Sequence, residues 1–218
     1  MDSTQSPDKG QAPSTGEGAA PSPARGRTSI ARIVALVGIV AIFVTFFLPL
    51  GTTTGDDRAL LLEYADEESI PELGMTNADV ADMSLVELGV VYGYAAFNET
   101  GDTQVIGIIC LVLSGLILLF AILGLVAALR RRPVGLIVLT LLDAGAFAAY
   151  CWDLGDRGVI GGTRLFGPDY SWGVARVGFY VACAVVVVGA VWMLVERHRA
   201  RSLEGRGAEP AGRGGQEG

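Results

Sequence analysis

Cysteine is scarce in this 218-residue chain, and its placement excludes one class of protein. Cys110, Cys151 and Cys183 all lie in or beside long apolar runs, whereas residues 51–103, a long polar segment, contain none. A disulfide-stapled extracellular domain would carry its cysteines in that segment. No Cys-x-x-Cys motif occurs either, which excludes the thiol oxidoreductases of membranes. We interpret the three cysteines as small core residues.

Motifs for catalysis and for metal or phosphate binding are also missing. There is no Gly-x-Ser-x-Gly, no His-Glu-x-x-His and no glycine-rich phosphate loop. The single histidine, His198, lies in a basic flank, and no twelve-residue calcium loop is present. The sequence therefore predicts a non-enzymatic protein with no catalytic residue, no cofactor and no metal site.

Positive charge is scarce where negative charge is abundant. The formal net charge of the chain is -7, and residues 51–103 hold twelve Asp and Glu against one base, Arg58. This imbalance excludes a nucleic-acid binder and indicates an acidic, solvated face. We expect that face to be available to a protein partner.

Long apolar runs dominate the rest of the sequence, which is 51% hydrophobic. As a helix, a run of this length crosses about 30 Å of hydrocarbon. We therefore predict an all-α fold, a four-transmembrane-helix antiparallel bundle in the lipid bilayer of the plasma membrane. The predicted spans are residues 30–50, 105–129, 134–152 and 173–195.

Three basic clusters predict the orientation of these spans. Short basic connections favour the cytoplasmic side of a membrane. The arginine turn, Arg130 to Arg132, joins the second and third spans, and Pro133 is suited to the first turn of the third. The other clusters are Arg25, Arg27 and Arg32 before the first span, and Arg197, His198, Arg199 and Arg201 after the fourth. Both termini are therefore predicted in the cytoplasm, with outer loops at 51–103 and 153–171.

The two ends of the chain have the composition of disordered tails. Residues 1–28 are rich in Ser, Pro and Gly, and residues 196–218 are rich in Gly and Glu. Such segments bury too little apolar surface to offset the entropy of ordering. The membrane domain is predicted to cover residues 29–195.

The large outer loop carries one strong helix signal. Ser84-Leu85-Val86-Glu87 fits a capping box, which predicts a short helix from Leu85 toward Phe97. Its shared face would hold Leu85, Leu88, Tyr92 and Ala96. The first half of the loop is less clearly patterned, and we expect a short extended pair from residues 52–54 and 60–64.

Polar residues inside the predicted spans are the candidate functional residues, because a charge in hydrocarbon is costly. Asp143 lies roughly 13 Å and Arg176 roughly 5 Å from the outer ends of their helices at ~1.5 Å per residue. Tyr180 lies one turn deeper than Arg176, and Ser114 matches the depth of Asp143. One interpretation is structural, with Asp143 protonated or hydrogen-bonded to Tyr180 or Ser114, so that it holds the third span against its neighbours. The other is a proton or ion pathway.

The order of these features resembles small bacterial four-helix membrane proteins. The likeness covers about residues 30–195 and rests on Phe47-Leu48-Pro49 and on Ser84 to Leu88. It implies a four-span fold and brings no activity with it. The layout is also similar to claudins, but residues 51–103 contain neither Trp nor Cys, so the claudin signature is absent.

Together these features predict four spans beneath an acidic extracellular cap that carries a short helix. The expected function is that of an accessory, scaffold or sensing subunit of the cell envelope. The alternative is a small transporter or channel component that uses Asp143 and Arg176.

Overall fold

The computed structural model describes residues 29–152, 154 and 170–207. The predictions for the tail at 1–28, for nearly all of the outer loop at 153–171 and for residues 208–218 lie outside this part of the chain. Within it, helices dominate and short strands occur only near one end of the longest helices.

Seven α-helices and five strands make up the described part. The helices are α1 (Ile30–Thr45), α2 (Gly55–Glu63), α3 (Asn77–Ala81), α4 (Leu85–Asn98), α5 (Asp102–Leu129), α6 (Pro133–Cys151) and α7 (Val174–Gly207). The strands are β1 (Pro49–Thr53), β2 (Glu68–Ile70), β3 (Met75–Thr76), β4 (Asp82–Ser84) and β5 (Tyr170–Trp172). The predicted all-α fold class is confirmed in that the described part is mostly helical, and the large loop also contains short strands.

Three helices, α5, α6 and α7, are long and apolar enough to cross a membrane, whereas α1 is apolar but has only 16 residues. The run predicted as a span over 30–50 does not stay helical to its end. It leaves the helix at Phe46, and Pro49 begins β1. Proline has no backbone N–H for a helix, but it is tolerated at the start of a strand.

The α1–α7 contact, which we call the seam, depends on small residues. A Cβ added to Gly189 would lie 2.7 Å from the backbone nitrogen of Ala35, and one added to Gly38 would lie 2.7 Å from Cγ2 of Val186. The two helix backbones therefore touch. At Gly178 an added Cβ would lie 3.2 Å from Cγ2 of Thr45, whereas one added to Gly145 would meet none of the described residues within 4 Å.

The arginine turn closes α5 with a left-handed helix C-cap. The amide of Arg131 donates to Ala128 O at 3.2 Å and that of Arg132 to Ala127 O at 2.9 Å. Arg131 has φ 55° and is the sole non-glycine residue with positive φ in the described chain. Pro133 then occupies the first turn of α6, as predicted. These bonds make α5 and α6 an adjacent antiparallel pair.

The helix α7 ends at Gly207, twelve residues past the predicted end of the fourth span at 195. The basic cluster that follows the span is therefore helical. Ser29, just before α1, donates to Glu196 of α7 at 2.5 Å, and Arg32 donates to Leu129 O at 3.1 Å. We call this the basic end of the molecule.

The cap, residues 49–98 together with β5, lies at the opposite end. Strand β1 is the centre of a three-stranded sheet, with β4 and β5 antiparallel on either side. The predicted strand at 52–54 is confirmed for Thr52 and Thr53, but the predicted partner at 60–64 is wrong. Residues 55–63 form α2, whose first turn carries Asp56 and Asp57, where carboxylates favour a helix start.

The capping-box helix is confirmed as α4. Glu87 N donates to Ser84 Oγ at 3.2 Å, and Ser84 N donates to Glu87 Oε2 at 2.6 Å. The buried residues of α4 are the predicted face, Leu85, Leu88, Tyr92 and Ala96. This face packs on α5 at Gly107, where an added Cβ would lie 2.6 Å from Ala96 N.

Candidate functional site

Asp143 lies on the buried face of α6. Buried residues recur there at steps of three and four, at Leu136, Thr140, Asp143, Phe147 and Tyr150, so this face points into the protein. The Asp143 side chain is only 1% exposed, and its Oδ1 has no hydrogen-bond partner among the described residues. A buried acceptor without a partner is costly, which makes Asp143 the most conspicuous polar group of the helical part.

The surroundings of Asp143 are mainly apolar. One turn earlier, the hydroxyl of Thr140 donates to Leu136 O at 2.8 Å and is thereby satisfied. One turn later, Phe147 stacks on Phe179 of α7 with ring centroids 4.0 Å apart. The buried thiol of Cys183 lies close enough to Asp143 to interact with it electrostatically.

Arg176 does not reach Asp143. Its guanidinium lies over the Trp172 ring, 4.2 Å from the centroid, a favourable cation–π geometry. Within the part of the chain that the structure describes, the one ion pair joins Arg58 and Asp82. The two ionisable residues that the sequence placed in the spans are therefore kept apart.

The other two candidate residues also have positions of their own. Tyr180 is 38% exposed and meets Phe147 edge-on at 5.5 Å, and Ser114 donates to Cys110 O of its own helix at 2.8 Å. Because Oδ1 of Asp143 has no partner among the described residues, neither hydroxyl donates to that oxygen. The structure thus brings only Tyr180, through Phe147, into the neighbourhood of Asp143.

Ser114 borders an apolar pocket of about 300 Å³ between α4, α5 and the end of α1. Gly89 and Gly115 line it, and nothing lies within 4 Å of a Cβ added to either glycine. The pocket is therefore open because two side chains are missing from its wall, and Ser114 is its main polar contribution.

The carboxylates of residues 51–103 fall into two groups. Three are partly buried and have structural roles, since Asp79 and Glu87 close capping boxes and Asp82 pairs with Arg58. The other nine are exposed, and seven of them lie within residues 56–72: Asp56, Asp57, Glu63, Asp66, Glu67, Glu68 and Glu72. The exposed negative charge is thus concentrated on α2 and the chain just after it.

The helix α2 has no buried residue. Leu60 is 58% exposed and Tyr64, at the C-terminal boundary of α2, is 46% exposed. The two side chains lie four residues apart among the carboxylates, so they are neighbours on one helical face. Apolar surface of this kind, surrounded by charge, is typical of a contact site rather than of a structural helix.

A single ion pair fixes α2 to the sheet. Arg58 donates through Nη1 and Nη2 to the two carboxylate oxygens of Asp82 in β4, both at 2.7 Å. Hydrogen bonding to Arg58 lowers the pKa of Asp82 from its ordinary value. No motif in the sequence predicted this pair. The signal that was available is that Arg58 is the only base among twelve acids.

Comparison with known proteins adds no relative. Neither family models, nor curated proteins, nor solved structures give a significant match to the chain. Among the described residues, no group of three or more His, Cys, Asp or Glu is placed to hold a metal ion. The resemblance to small bacterial four-helix membrane proteins therefore stays a prediction.

Proposed function

We propose that this chain is a multi-pass plasma-membrane protein in which α1, α5, α6 and α7 form an antiparallel four-helix bundle. The lengths and composition of α5, α6 and α7 support this, as does the packing of α1 on α7 and of α5 on α6. At ~1.5 Å per residue α1 spans roughly 24 Å, and local thinning of the bilayer accommodates the difference. The arginine turn puts the basic end, and both termini, in the cytoplasm.

In this orientation the cap is extracellular, and we assign the protein a non-enzymatic role as an accessory, scaffold or sensing subunit that binds a protein partner through residues 51–103. The observation that carries the assignment is α2, a helix with no buried residue that displays Leu60 and Tyr64 among seven carboxylates. A partner surface with apolar and basic side chains would complement it.

The orientation can be tested apart from the function. A reporter that works only in the cytoplasm should be active when fused after residue 131. A reporter that works only outside the cell should be active when fused after residue 75. A result with residue 131 outside, or residue 75 inside, would overturn the proposed topology.

The contact surface is tested by paired substitutions and purification in mild detergent. The double variant Leu60→Ser/Tyr64→Ser should no longer co-purify with a partner that the wild-type protein retains, because the two substitutions remove the apolar centre of the surface. Phe97→Ser is the matched control, since Phe97 is 81% exposed and lies at the far end of α4. Equal recovery with all three proteins would contradict the assignment, as would recovery of no partner.

A second function, a small transporter or channel component using Asp143 and Arg176, is favoured by one observation. In the described part of the chain the Oδ1 atom of Asp143 is buried without a partner, as expected of a group that takes up a proton or ion during transport. Asp143→Asn should then abolish a solute or proton flux in proteoliposomes, whereas Arg176→Gln should reduce it. Unchanged flux in the Asp143 variant would eliminate this alternative.

A further inference from the structure

A charged cavity of about 230 Å³ lies at the basic end, far from the cap. It is bounded by the start of α1, the arginine turn and the part of α7 that follows Met193. Its charged and polar wall consists of Ser29, Arg32, Arg131, Glu196 and Arg197. Three arginines therefore line a space large enough for a small anion.

Backbone carbonyls hold two of these arginines in place. Arg32 donates from Nη2 to Leu129 O at 3.1 Å, and Arg197 donates from Nη2 to Arg131 O. The Nε atom of Arg32 is buried and has no acceptor among the described residues. A buried, charged donor without an acceptor is unfavourable, so Arg32 keeps hydrogen-bonding capacity that the described residues do not use.

Arg131 stands in a backbone conformation that suits glycine better. Its φ of 55° is the left-handed position of the helix C-cap that ends α5, where glycine is the usual residue. A side chain at this position carries a steric penalty. The backbone of the turn therefore does not require arginine at position 131. The place of Arg131 on the cavity wall explains why arginine occurs there.

The charges of the cavity favour an anion. Three arginines stand against one carboxylate, and that carboxylate, Glu196, already accepts a hydrogen bond from Ser29 Oγ at 2.5 Å. The forked guanidinium matches phosphate oxygens in geometry and in charge. A phosphate group is the ligand chemistry that fits this wall.

We propose that this cavity binds the phosphate group of an anionic lipid headgroup at the cytoplasmic surface. The inference rests on the membrane placement proposed above, because there the basic end meets the anionic leaflet and basic pockets between helices bind lipid headgroups. Free inorganic phosphate has the same chemistry and is the alternative source of the ligand.

The test uses the full-length protein in mild detergent, titrated separately with short-chain phosphatidylglycerol, short-chain phosphatidylcholine and inorganic phosphate. Native mass spectrometry counts the bound molecules and gives the affinity. Arg131→Gly removes a guanidinium and relieves the backbone strain, so the fold should be retained. Arg130→Ala is the matched control, because Arg130 lies in the same turn but does not line the cavity.

Saturable binding of one phosphatidylglycerol is expected, with no comparable binding of phosphatidylcholine. Arg131→Gly should weaken it at least about tenfold, as expected for loss of a charge-assisted hydrogen bond. Arg130→Ala should weaken it no more than about fivefold, the general effect of one charge near a membrane surface. Arg131→Asn, which also tolerates the left-handed conformation, should reproduce the glycine variant.

Three results would overturn the proposal. If Arg130→Ala and Arg131→Gly weakened phosphatidylglycerol binding equally, the binding would depend on general positive charge and not on this cavity. If phosphatidylcholine bound as tightly as phosphatidylglycerol, the site would not be an anion site. Inorganic phosphate that binds as tightly as the lipid would refute the lipid as the source. Any of these could occur with the reporter topology intact, so the failure of this inference is distinguishable from failure of the proposed membrane placement.

Discussion

The seam and the cap are held together by different kinds of interaction. In the seam, Gly38 and Gly189 let two helix backbones touch. In the described chain, a side-chain hydrogen bond joins the two helices only at the basic end, from Ser29, just before α1, to Glu196. In the cap, short elements are joined by strand pairing, by two capping boxes and by the Arg58–Asp82 ion pair.

The difference follows from the surroundings of each region. Apolar helices gain little from burying apolar surface when lipid is the alternative, so close packing through small residues becomes decisive. The short elements of the cap bury too little apolar surface to be held together by packing, so they depend on directed polar contacts. The following predictions test whether the stability of the seam depends on close packing and that of the cap on hydrogen bonds.

The largest effect is expected in the seam. Gly189→Ala would place a Cβ 2.7 Å from the backbone nitrogen of Ala35. Overpacking of this kind costs up to about 3 kcal/mol. Thermal unfolding in detergent measures the loss. Gly145→Ala is the matched control, since that glycine has open space and should be unchanged or more stable. Equal changes in the unfolding temperature of the two variants would show that close packing does not determine the stability of the seam.

Asp143 is the exception within the apolar region, and its removal should stabilise the protein. Asp143→Leu eliminates a buried, partnerless acceptor, a change worth about 2 kcal/mol. Thr140→Val is the control, because its hydroxyl is already bonded to Leu136 O and its loss brings no comparable gain. A destabilised Asp143→Leu protein would mean that the carboxyl supports the packing of α6.

In the cap, loss of one capping interaction should have a moderate effect. Ser84→Ala leaves Glu87 N without its acceptor and should cost about 1 kcal/mol, seen as faster hydrogen exchange in α4. Ser69→Ala, at an exposed position of β2, serves as the control. If the two variants exchange alike, the capping box does not stabilise α4.

The smallest effect is expected from the partly buried ion pair of Arg58 and Asp82, and it depends on pH. Because the pKa of Asp82 is lowered in the folded state, its contribution is complete above the ordinary value of 3.8 and is lost as pH falls through the folded value. The difference in unfolding temperature between wild type and Asp82→Asn should therefore narrow below pH 3.8. Asp66→Asn controls for the loss of one charge, and a constant difference would contradict the role of the pair.

Local patterns in the sequence predicted local structure well. Ser84 and Glu87 identified the start of α4, the spacing of Leu85 to Ala96 identified its buried face, and Pro133 identified the first turn of α6. Each signal acts within one or two helical turns. By contrast, the expected strand at 60–64 was wrong, because residues 55–63 form α2 and the neighbours of β1 are the distant strands β4 and β5.

The candidate site shows the same limit. Burial of Asp143 follows from its place in an apolar run, and the Arg176 side chain lies over Trp172, four residues earlier in the strand just before α7. Pairing of Arg58 with Asp82, by contrast, joins residues 24 positions apart. Such contacts depend on the path of the chain between them, and no periodicity encodes that path.

By itself the sequence determined the apolar helices, the arginine turn between α5 and α6 and the concentration of acid in one segment, because composition and short-range spacing control these features. The tertiary structure alone decided which glycines lie in the seam, that Asp143 has no partner at Oδ1, and that three arginines from α1, the turn and α7 share one cavity. Those outcomes depend on which helix faces meet, and that is settled only when the whole chain packs.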